Sequence, residues 1–525
     1  MIVCAHLHGD RTAKRDRDFM QPSAGLQVGS LIDRDSFNVS LYHEMWHGTL
    51  DPSDVPAVDI VFLSGLQKDF DRMRQLAYFF REKGALTIAG GSIPTLFPEF
   101  CTRFFDVVCA GGVDSVPDVM TDYQRGNLKR VYRSPQTRLT DYHVDYRLLT
   151  ENKINGAVHL IEASRGCNFR CDFCVIPAEN ARHTRYGAGR VQRMIADAIA
   201  ASPRFSLRRR LPCVMFIDNN FANHLPNLRE VCAALKAERR VKAWGALVTQ
   251  DMLRNREIVS MMADSKCKAL FTGLESVDLE FLNIHDKTQN AKHVDSVIED
   301  IAFAQSKGMV FIYGYLFDPR ISTTQDMRKQ LNTIVDSGVL PFPSFLSYVA
   351  PLVGTELFWK SSENGDLRPN LRLRDLDGRC VCYRDCRDSD EELTRFSNEL
   401  FLRPETLINR KSLYWGFLRT LWRTGSLNPI ICYVNYRNWF RVFHLVKKRS
   451  RLPKRTYING TDELDVHYEF YPPDISPQDK ERYFDPIKLT NEQGELADWL
   501  VRHRKSAGLP PPALPAELAR PGVGA

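Results

Sequence analysis

The sequence predicts an α/β protein in which a doubly wound, Rossmann-like domain of the flavodoxin type precedes a partial (β/α)6 barrel and a mainly helical C-terminal region. Three observations predict it. Apolar runs alternate with helical stretches over the first 140 residues, a second alternation begins near residue 159, and three cysteines crowd the loop after its first strand. The predicted domains are residues 1–140, 150–360 and 361–505, and the proline- and alanine-rich tail over 506–525 is expected to be disordered.

Composition favours an intracellular protein with several domains. The chain has 525 residues, enough for two or three sizeable cores. Its thirteen cysteines are spread along the chain and no secretory leader precedes them, which favours a reducing compartment and predicts a cytoplasmic location. No apolar run reaches the ~20 residues that a membrane-spanning helix needs. The formal net charge of +7 is too modest at this length to indicate nucleic acid by itself.

The first third of the chain has the pattern of a doubly wound sheet. Residues 58–63 form a near-continuous apolar run, of the kind found in parallel strands covered on both faces. Ser64 and Gly65 follow this strand, and Gly90 and Gly91 follow the next. Because open α/β sheets bind ligands beyond the carboxyl ends of their strands, these small residues are candidates for a binding cleft. Strands are predicted over 1–5, 37–42, 58–63, 85–89 and 105–110, and helices over 25–33 and 71–83.

The middle of the chain alternates strand and helix as a partial barrel does. Six strands are predicted, over 159–163, 213–217, 243–248, 269–272, 310–316 and 345–349. Five helices are predicted, over 189–201, 225–239, 252–263, 292–307 and 324–337. In such barrels the active site gathers at the carboxyl ends of the strands. The polar residues expected there are Asp218, Asn219, Thr249, Gln250, Glu275, Ser276 and Asp318.

Cys167, Cys171 and Cys174 carry the strongest chemical signal in the sequence. Three thiolates at the spacing Cys-x3-Cys-x2-Cys can wrap one loop around a single iron–sulfur cluster. Such a loop leaves one iron of a four-iron cluster without a protein ligand, and that open site can accept a substrate or cofactor. The spacing therefore predicts a catalytic 4Fe–4S cluster held by these three cysteines. A zinc knuckle or a chance group of reduced thiols is the alternative.

The cysteine run, with Phe173 directly before its last cysteine, resembles the signature of radical S-adenosylmethionine (radical SAM) enzymes. The resemblance covers residues 20–360 and includes three further elements. Residues 273–276 and 216–221 are similar to strand-end motifs of the family, and residues 350–355 to its Pro-Gly-Thr turn, with Val353 in place of proline. The resemblance implies that SAM is bound by Phe173, Asp218, Asn219, Gly273, Glu275 and Ser276.

The N-terminal layout resembles the cobalamin-binding domain that precedes the barrel in one large class of radical SAM enzymes. The resemblance implies that cobalamin contacts Ser64, Gly65, Gly90 and Gly91. One departure is that the Asp-x-His-x-x-Gly motif, whose histidine ligates cobalt in classical cobalamin domains, is absent from the first loop. Either cobalt is bound here without that histidine, or the domain is a structural appendage that has lost cobalamin.

Together these resemblances imply a cobalamin-dependent radical SAM enzyme, and first among its reactions a C-methyltransferase acting on an unactivated carbon of a lipid or secondary metabolite. The implied cofactors are a 4Fe–4S cluster, SAM and cobalamin, which supply a 5′-deoxyadenosyl radical and a methyl group. The implied partners are a small-molecule or lipid substrate and a reductant such as flavodoxin or ferredoxin. The alternatives are cyclisation or rearrangement without methyl transfer, and a non-enzymatic iron–sulfur sensor or electron-transfer protein.

Two C-terminal features allow more than one interpretation. Cys380, Cys382 and Cys386 form a second thiol group, for which ordinary reduced cysteines are favoured over an auxiliary cluster. Between residues 409 and 455 there is no acidic residue, while basic residues alternate with aromatic ones. This pattern favours helices that cap the barrel, then peripheral contact with the inner face of the membrane, and last an RNA surface. Nucleic acid is therefore not an expected partner.

Overall fold

The structure is a computed structural model that describes residues 1–7, 21–135, 142–179, 183–292, 294–425, 429–449 and 471–506. The predicted tail lies outside these residues from 507 onward, as do the basic residues Arg451, Lys454 and Arg455. The described strands form two six-stranded sheets and one two-stranded ribbon.

The N-terminal sheet is parallel throughout. Its strands are β1 (Ile2–Cys4), β2 (Leu41–His43), β3 (Ile60–Gly65), β4 (Leu86–Gly91), β5 (Val107–Gly111) and β6 (Val131–Ser134). Their order is β2-β1-β3-β4-β5-β6, which is the flavodoxin order 2-1-3-4-5 with one strand added at an edge. The added β6 is missing from the predicted strands because its Val-Tyr-Arg-Ser run is half polar, as an edge strand tolerates.

Six helices accompany this sheet: α1 (Ser23–Ser30), α2 (Glu44–His47), α3 (Phe70–Glu82), α4 (Ser92–Leu96), α5 (Pro98–Cys101) and α6 (Val116–Gln124). The predicted helices over 25–33 and 71–83 correspond to α1 and α3. Helix α3 is buried along most of its length, including the charged side chains of Asp71, Arg72 and Arg74. Ion pairs compensate these charges, since Arg72 pairs with Glu44 at 2.8 Å and Arg74 with Asp71 at 2.7 Å.

The second sheet is the partial barrel. It contains β7 (His159–Ile161), β10 (Cys213–Phe216), β11 (Ala243–Val248), β12 (Cys267–Glu275), β13 (Val310–Phe317) and β14 (Phe345–Tyr348), all parallel. The ribbon of β8 (Ser164–Arg165) and β9 (Thr184–Arg185) brackets the cysteine loop. The strand order in the sheet is β14-β13-β12-β11-β10-β7, so neighbouring strands are also consecutive among the barrel strands along the chain. All six predicted barrel strands are confirmed, in the predicted order.

The longest barrel strand corrects one prediction. Strand β12 extends to Glu275, so Gly273 and Glu275 lie inside the strand and not beyond its end. The register against β13 shifts between these two residues, and Glu275 takes the left-handed φ of +60°. A non-glycine residue in that region is uncommon and marks a backbone held by its surroundings.

The barrel helices are α7 (Arg147–Glu151), α8 (Val175–Ala178), α9 (Ala188–Ala201), α10 (Leu207–Arg210), α11 (Leu225–Ala237), α12 (Arg256–Asp264), α13 (Leu279–Ile284), α14 (Thr288–Ala291), α15 (Val297–Ser306) and α16 (Thr324–Asp336). The helix predicted over 252–263 is broken at Asn255, whose side chain caps α12 by accepting from Ile258 N–H. The helix predicted over 292–307 begins only at Val297.

The C-terminal region covers both sheets. Its helices are α17 (Glu356–Glu363), α18 (Asp390–Leu402), α19 (Arg410–Thr424), α20 (Pro429–Arg449), α21 (Pro477–Asp479) and α22 (Asp498–Ser506). Helix α18 covers the barrel edge, where Tyr348 of β14 and Ser397 share a hydrogen bond of 2.7 Å. The last segment returns to the N-terminal domain, where Trp499 stacks on Phe100 with ring centroids 4.1 Å apart. The predicted fold class is confirmed.

Candidate functional site

A cleft of about 1090 Å³, part of it open to solvent, lies between the two sheets. Strand ends of the N-terminal sheet line one side with Ser64, Gly90 and Gly91, and the barrel lines the other side with Arg165 and Asn219. The carboxyl ends of both sheets therefore face the same space. Four predicted cofactor residues from separate parts of the sequence meet there.

Gly65 does not line the cleft, although the resemblance grouped it with the cobalamin contacts. A Cβ at Gly65 would lie 3.0 Å from Cβ of Asp69 and 3.2 Å from Sδ of Met73. Its free side therefore faces the start of α3, away from the cleft.

Gly90 and Gly91 differ in what they leave room for. A Cβ at Gly90 would meet no atom within 4 Å, so the missing side chain leaves open space at the cleft wall. Gly91 has a φ of +108°, and a Cβ there would lie 2.8 Å from the carbonyl oxygen of Gly65. Gly91 is thus required by the backbone itself, whereas Gly90 is free to face a ligand.

The cleft has a charged bridge that sequence reasoning missed. Gln27 of α1 donates to Glu162 at 3.0 Å and accepts from Arg165 at 2.7 Å. Arg165 and Glu162 also form an ion pair at 2.7 Å. These three side chains line the cleft and join α1 to the start of the cysteine loop. Arg165 belongs to the Ser-Arg-Gly-Cys run, and its closeness to the first cysteine could have marked it as a candidate site residue.

Asp218 and Asn219 hold the first part of the cysteine loop. Asp218 is buried and accepts from the Ser164 hydroxyl at 2.5 Å and from Ala163 N–H at 3.1 Å. Burial raises the pKa of Asp218 to about 7, against the effect of these hydrogen bonds. Asn219 accepts from Gly166 N–H at 2.9 Å. Both side chains act on the loop, and their predicted contact with SAM stays a prediction.

The three loop cysteines are the residues that would hold the predicted iron–sulfur cluster. All are free thiols, with Cys171 buried and the other two half-buried. Burial raises the pKa of Cys167, and that of Cys174 to about 11, while the nearby Lys287 ammonium acts in the opposite direction. No three His, Cys, Asp or Glu side chains converge on one ion in the described part of the chain. A cluster takes one thiolate for each iron that the protein ligates, and the spacing of this loop offers three.

Lys287 connects the cysteine loop to β12. Its ammonium pairs with Glu275 at 2.8 Å and lies 5.6 Å from the ring centroid of Phe173. Burial acts against the charge, but Glu275 and the nearby Cys171 raise the pKa of Lys287. A Cβ at Gly273 would lie 2.3 Å from the Glu275 carboxylate, so only glycine leaves this carboxylate its place. Lys287 lies outside all the motifs recognised in the sequence, so sequence reasoning gave no indication of its contacts.

Ser276 has internal partners at the end of β12. It is buried, its hydroxyl accepts from Asp278 N–H at 3.0 Å, and the hydroxyl of Tyr315 lies 3.4 Å away. Tyr315 in turn donates to Gln330 at 2.9 Å. The geometry gives Ser276 a role in shaping this turn, and contact with SAM stays a prediction for it.

A buried ionic network locks the second half of the cysteine loop. The His285 ring lies between Asp172 of that loop, at 3.0 Å, and Asp318 beyond β13, at 3.1 Å. Arg320 pairs with Asp318 at 2.6 Å. Because carboxylates only accept, both ring nitrogens must donate and the imidazole is charged. Burial opposes that charge, yet the hydrogen bonds to both carboxylates raise the pKa of His285.

Removing the His285 ring should loosen the whole loop. In His285→Ala, Asp172 loses its buried cation, and breaking a buried pair from one side costs about 3–5 kcal/mol. We expect a lower thermal midpoint and a lower iron content after anaerobic reconstitution. The control is Arg229→Ala, which breaks an exposed pair with Glu257 and should change stability by less than about 1 kcal/mol. Equal stability and iron content in both variants would contradict the locking role.

Several buried amide and hydroxyl groups at the barrel mouth have no hydrogen-bond partner among the described residues. Gln250, which follows β11, is 2% exposed and has neither its Oε1 nor its Nε2 satisfied. Thr272 Oγ1 in β12 and Asn290 Oδ1 in α14 share this condition. Unsatisfied buried polar groups are costly. Because these atoms are closed off from solvent in this structure, they do not by themselves mark a SAM site.

Two of the three C-terminal thiols contact backbone oxygens. Cys382 and Cys386 lie 3.9 and 3.5 Å from the backbone oxygens of Asp375 and Tyr383. Their pKa values are raised by burial, that of Cys386 to about 11. Whether Cys380, Cys382 and Cys386 are ordinary reduced cysteines stays a prediction.

Sequence comparison supports the family that this geometry indicates. A model of the radical SAM superfamily matches residues 161–322. Bacteriochlorophyllide d C-8(2)-methyltransferase of Chlorobaculum tepidum is 23% identical over 318 residues, 58% of this chain and 69% of the relative. Hopanoid C-3 methylase of Methylococcus capsulatus is 23% identical over 357 residues, 62% of this chain and 63% of the relative.

Solved structures share the fold at low identity. TsrM of Kitasatospora setae, a radical SAM methyltransferase with cobalamin and a 4Fe–4S cluster bound, matches with a TM-score of 0.53 and 13% identity, covering 71% of this chain and 75% of that one. The cobalamin-dependent radical enzyme OxsB, with aqua-cobalamin and SAM bound, matches with a TM-score of 0.55 and 14% identity, covering 86% and 71%. The three predicted cofactors are those bound in these structures. Residues 161–322 of the chain thus match the radical SAM superfamily, and the chain shares its fold with solved cobalamin-dependent radical SAM enzymes.

Proposed function

We propose that this protein is a cobalamin-dependent radical SAM methyltransferase that transfers a methyl group to an unactivated carbon of a lipid or secondary metabolite. The observation that carries the proposal is the single cleft between the sheets. It borders Gly90 on the N-terminal sheet and Arg165 and Asn219 at the cysteine loop, so one ligand held by each domain would share one space. The relatives that methylate bacteriochlorophyllide and hopanoid support a large, mostly apolar substrate.

The residues of this chain have distinct tasks in that reaction. When bound, the cluster, SAM and cobalamin supply a hydrogen-abstracting radical and a methyl group. Cys167, Cys171 and Cys174 would hold three irons of the cluster. Asp218 and Asn219 keep the cysteine loop in place, and Gly90 leaves room for the corrinoid face. None of the described residues that line the cleft is a histidine.

Gln250 provides a test of the SAM site that separates binding from folding. Replacing it by leucine removes two unsatisfied buried polar atoms, so stability should be unchanged or higher. If Gln250 binds SAM, affinity should fall by about 1 kcal/mol or more, roughly fivefold. SAM binding to cluster-loaded protein is measured by equilibrium dialysis beside the thermal midpoint. Unchanged affinity would remove Gln250 from the SAM site, and loss of both would assign it a structural role.

The function is tested by three products measured without oxygen. Protein loaded with iron, sulfide and cobalamin, and supplied with reduced flavodoxin or ferredoxin, should convert SAM to 5′-deoxyadenosine and S-adenosylhomocysteine. It should also add one methyl group to an acceptor, and acceptors of two classes are tested, bacteriochlorophyllide d and hopanoids. Formation of 5′-deoxyadenosine with no corrinoid uptake would overturn the methyltransferase proposal. Acceptor products of rearranged structure but unchanged mass would favour the alternative of cyclisation or rearrangement.

Two finer parts of the proposal concern partners and location. A reductant such as flavodoxin or ferredoxin would supply the electron that the cluster needs, and the working compartment would be the cytoplasm, with peripheral contact at the inner face of the membrane. Among the described helices, none combines the length and apolar character required to cross a bilayer.

A further inference from the structure

Helices α19 and α20 form a hairpin that is rigidly packed on its inner side. A Cβ at Gly416 would lie 2.0 Å from the Trp439 ring, so the missing side chain of α19 admits this buried indole. The hairpin is also tied to the barrel, since Asn438 donates to the carbonyl of Phe311 at 3.1 Å and Arg423 to that of Gly338 at 3.0 Å. Phe311 lies near the amino end of β13. The hairpin therefore packs at the end of the barrel strands opposite to the cleft.

The outer side of α19 exposes large apolar side chains. Trp415 is 62% exposed, Leu418 50% and Trp422 85%, and Tyr414 beside them is 55% exposed. Residues 415, 418 and 422 are spaced by three and four, which places them on one helical face. We call these four residues the aromatic ridge. Such a row of exposed indole and leucine side chains on a rigid support marks an interaction surface.

The charged side chains of the hairpin around the aromatic ridge are all positive. Lys411 and Arg419 are exposed on α19 next to the ridge, and the sequence contains no acidic residue between 409 and 455. One acidic side chain approaches from the barrel, since Asp336 accepts from the Ser412 hydroxyl at 2.5 Å. The outer face of α19 therefore combines exposed apolar side chains with positive charge. It complements a partner whose outermost layer is negatively charged and whose next layer is apolar.

We propose that the aromatic ridge docks this enzyme on an anionic phospholipid bilayer. Tryptophan and tyrosine favour the headgroup region, where the apolar ring is buried and the polar edge stays hydrated, and basic residues are attracted by anionic lipids. A second copy of the chain fits less well, because a symmetric contact would set two positive surfaces against each other. The ridge lies opposite to the cleft, so docking anchors the enzyme while the cleft faces away from the bilayer.

The test is co-sedimentation of the full-length protein with vesicles. Wild type should pellet with vesicles of equal parts phosphatidylglycerol and phosphatidylcholine, and weakly with pure phosphatidylcholine. The double change Trp415→Ser and Trp422→Ser should weaken binding by about tenfold or more. The control is Phe205→Ser, which removes an aromatic side chain that is 77% exposed outside the hairpin and should bind as wild type does.

Folding is checked separately by thermal midpoint and by 5′-deoxyadenosine formation, which both variants should retain because the changed side chains are exposed. Equal pelleting of wild type and the double variant would overturn the proposal. So would binding of a polyuridine oligonucleotide that exceeds vesicle binding, or a wild-type dimer in solution that the double change dissociates. If the wild-type protein does not cleave SAM at all, that result would contradict the proposed function and leave the docking proposal intact, because vesicle binding does not depend on SAM cleavage.

Discussion

Replacing Cys167, Cys171 and Cys174 together by alanine is expected to abolish the conversion of SAM to 5′-deoxyadenosine. These residues lie in one loop whose two halves are fixed by Asp218 and by the His285 network. Without three thiolates the irons have no protein ligands, and the cleavage reaction has no electron source. Iron and sulfide are measured after anaerobic reconstitution, and 5′-deoxyadenosine by chromatography.

The matched control is the other cysteine trio. Alanine at Cys380, Cys382 and Cys386 should leave cleavage measurable. A loss of several irons per chain in this control would show a second cluster and correct the assignment of these residues as ordinary thiols. SAM cleavage that persists after the loss of Cys167, Cys171 and Cys174 would contradict the assignment of these residues as cluster ligands.

Replacing Gly90 by tryptophan is expected to abolish corrinoid uptake and methyl transfer while SAM cleavage persists. Open space surrounds the position where its Cβ would stand, and the residue lines the cleft, so an indole would enter the cleft with no backbone clash. The cysteine loop follows a strand of the other sheet, so the change leaves the backbone that carries the three cysteines in place. Bound corrinoid is measured by its visible absorption, and cleavage as above.

Two variants make the Gly90 result interpretable. Gly189→Trp is the control, because a Cβ there also meets no atom within 4 Å but the residue lies at the exposed start of α9. It should bind corrinoid as wild type does. Gly91→Trp is the wrong test, since its φ of +108° and the nearby Gly65 carbonyl predict misfolding. Full corrinoid uptake by Gly90→Trp would show that the cleft is not the cobalamin site.

Much of the architecture was predictable because local pattern and tertiary structure agree. The barrel strands are short apolar runs ending in polar residues, and all six were found to within a few residues of their bounds. The N-terminal strands were found the same way, except β6, whose polar edge lacks an apolar signature. The extension of β12 to Glu275 was missed because a register shift and a positive φ have no signal in the residue types.

The chemistry of the site was predictable only where spacing carries it. Three cysteines within eight residues must lie close together in any fold, so the sequence was enough to predict them as cluster ligands, and that role stays a prediction. The strand-end position of Asp218 was also found, but not that its carboxylate faces Ser164 and Ala163. Strand ends bring many polar groups to one edge, and neighbouring chain segments decide which of them stay available to a ligand.

The sequence by itself determined the succession of the two sheets along the chain and the cysteine loop with its resemblance to a family, because each of these depends on local periodicity or short spacing. Only the tertiary structure decided that Gly90 opens on the cleft while Gly65 turns from it, and that His285 and Lys287 contact the cysteine loop at Asp172 and Phe173 from more than 100 residues away. Those contacts join segments far apart in the chain. Their geometry comes from packing, which residue pattern does not encode.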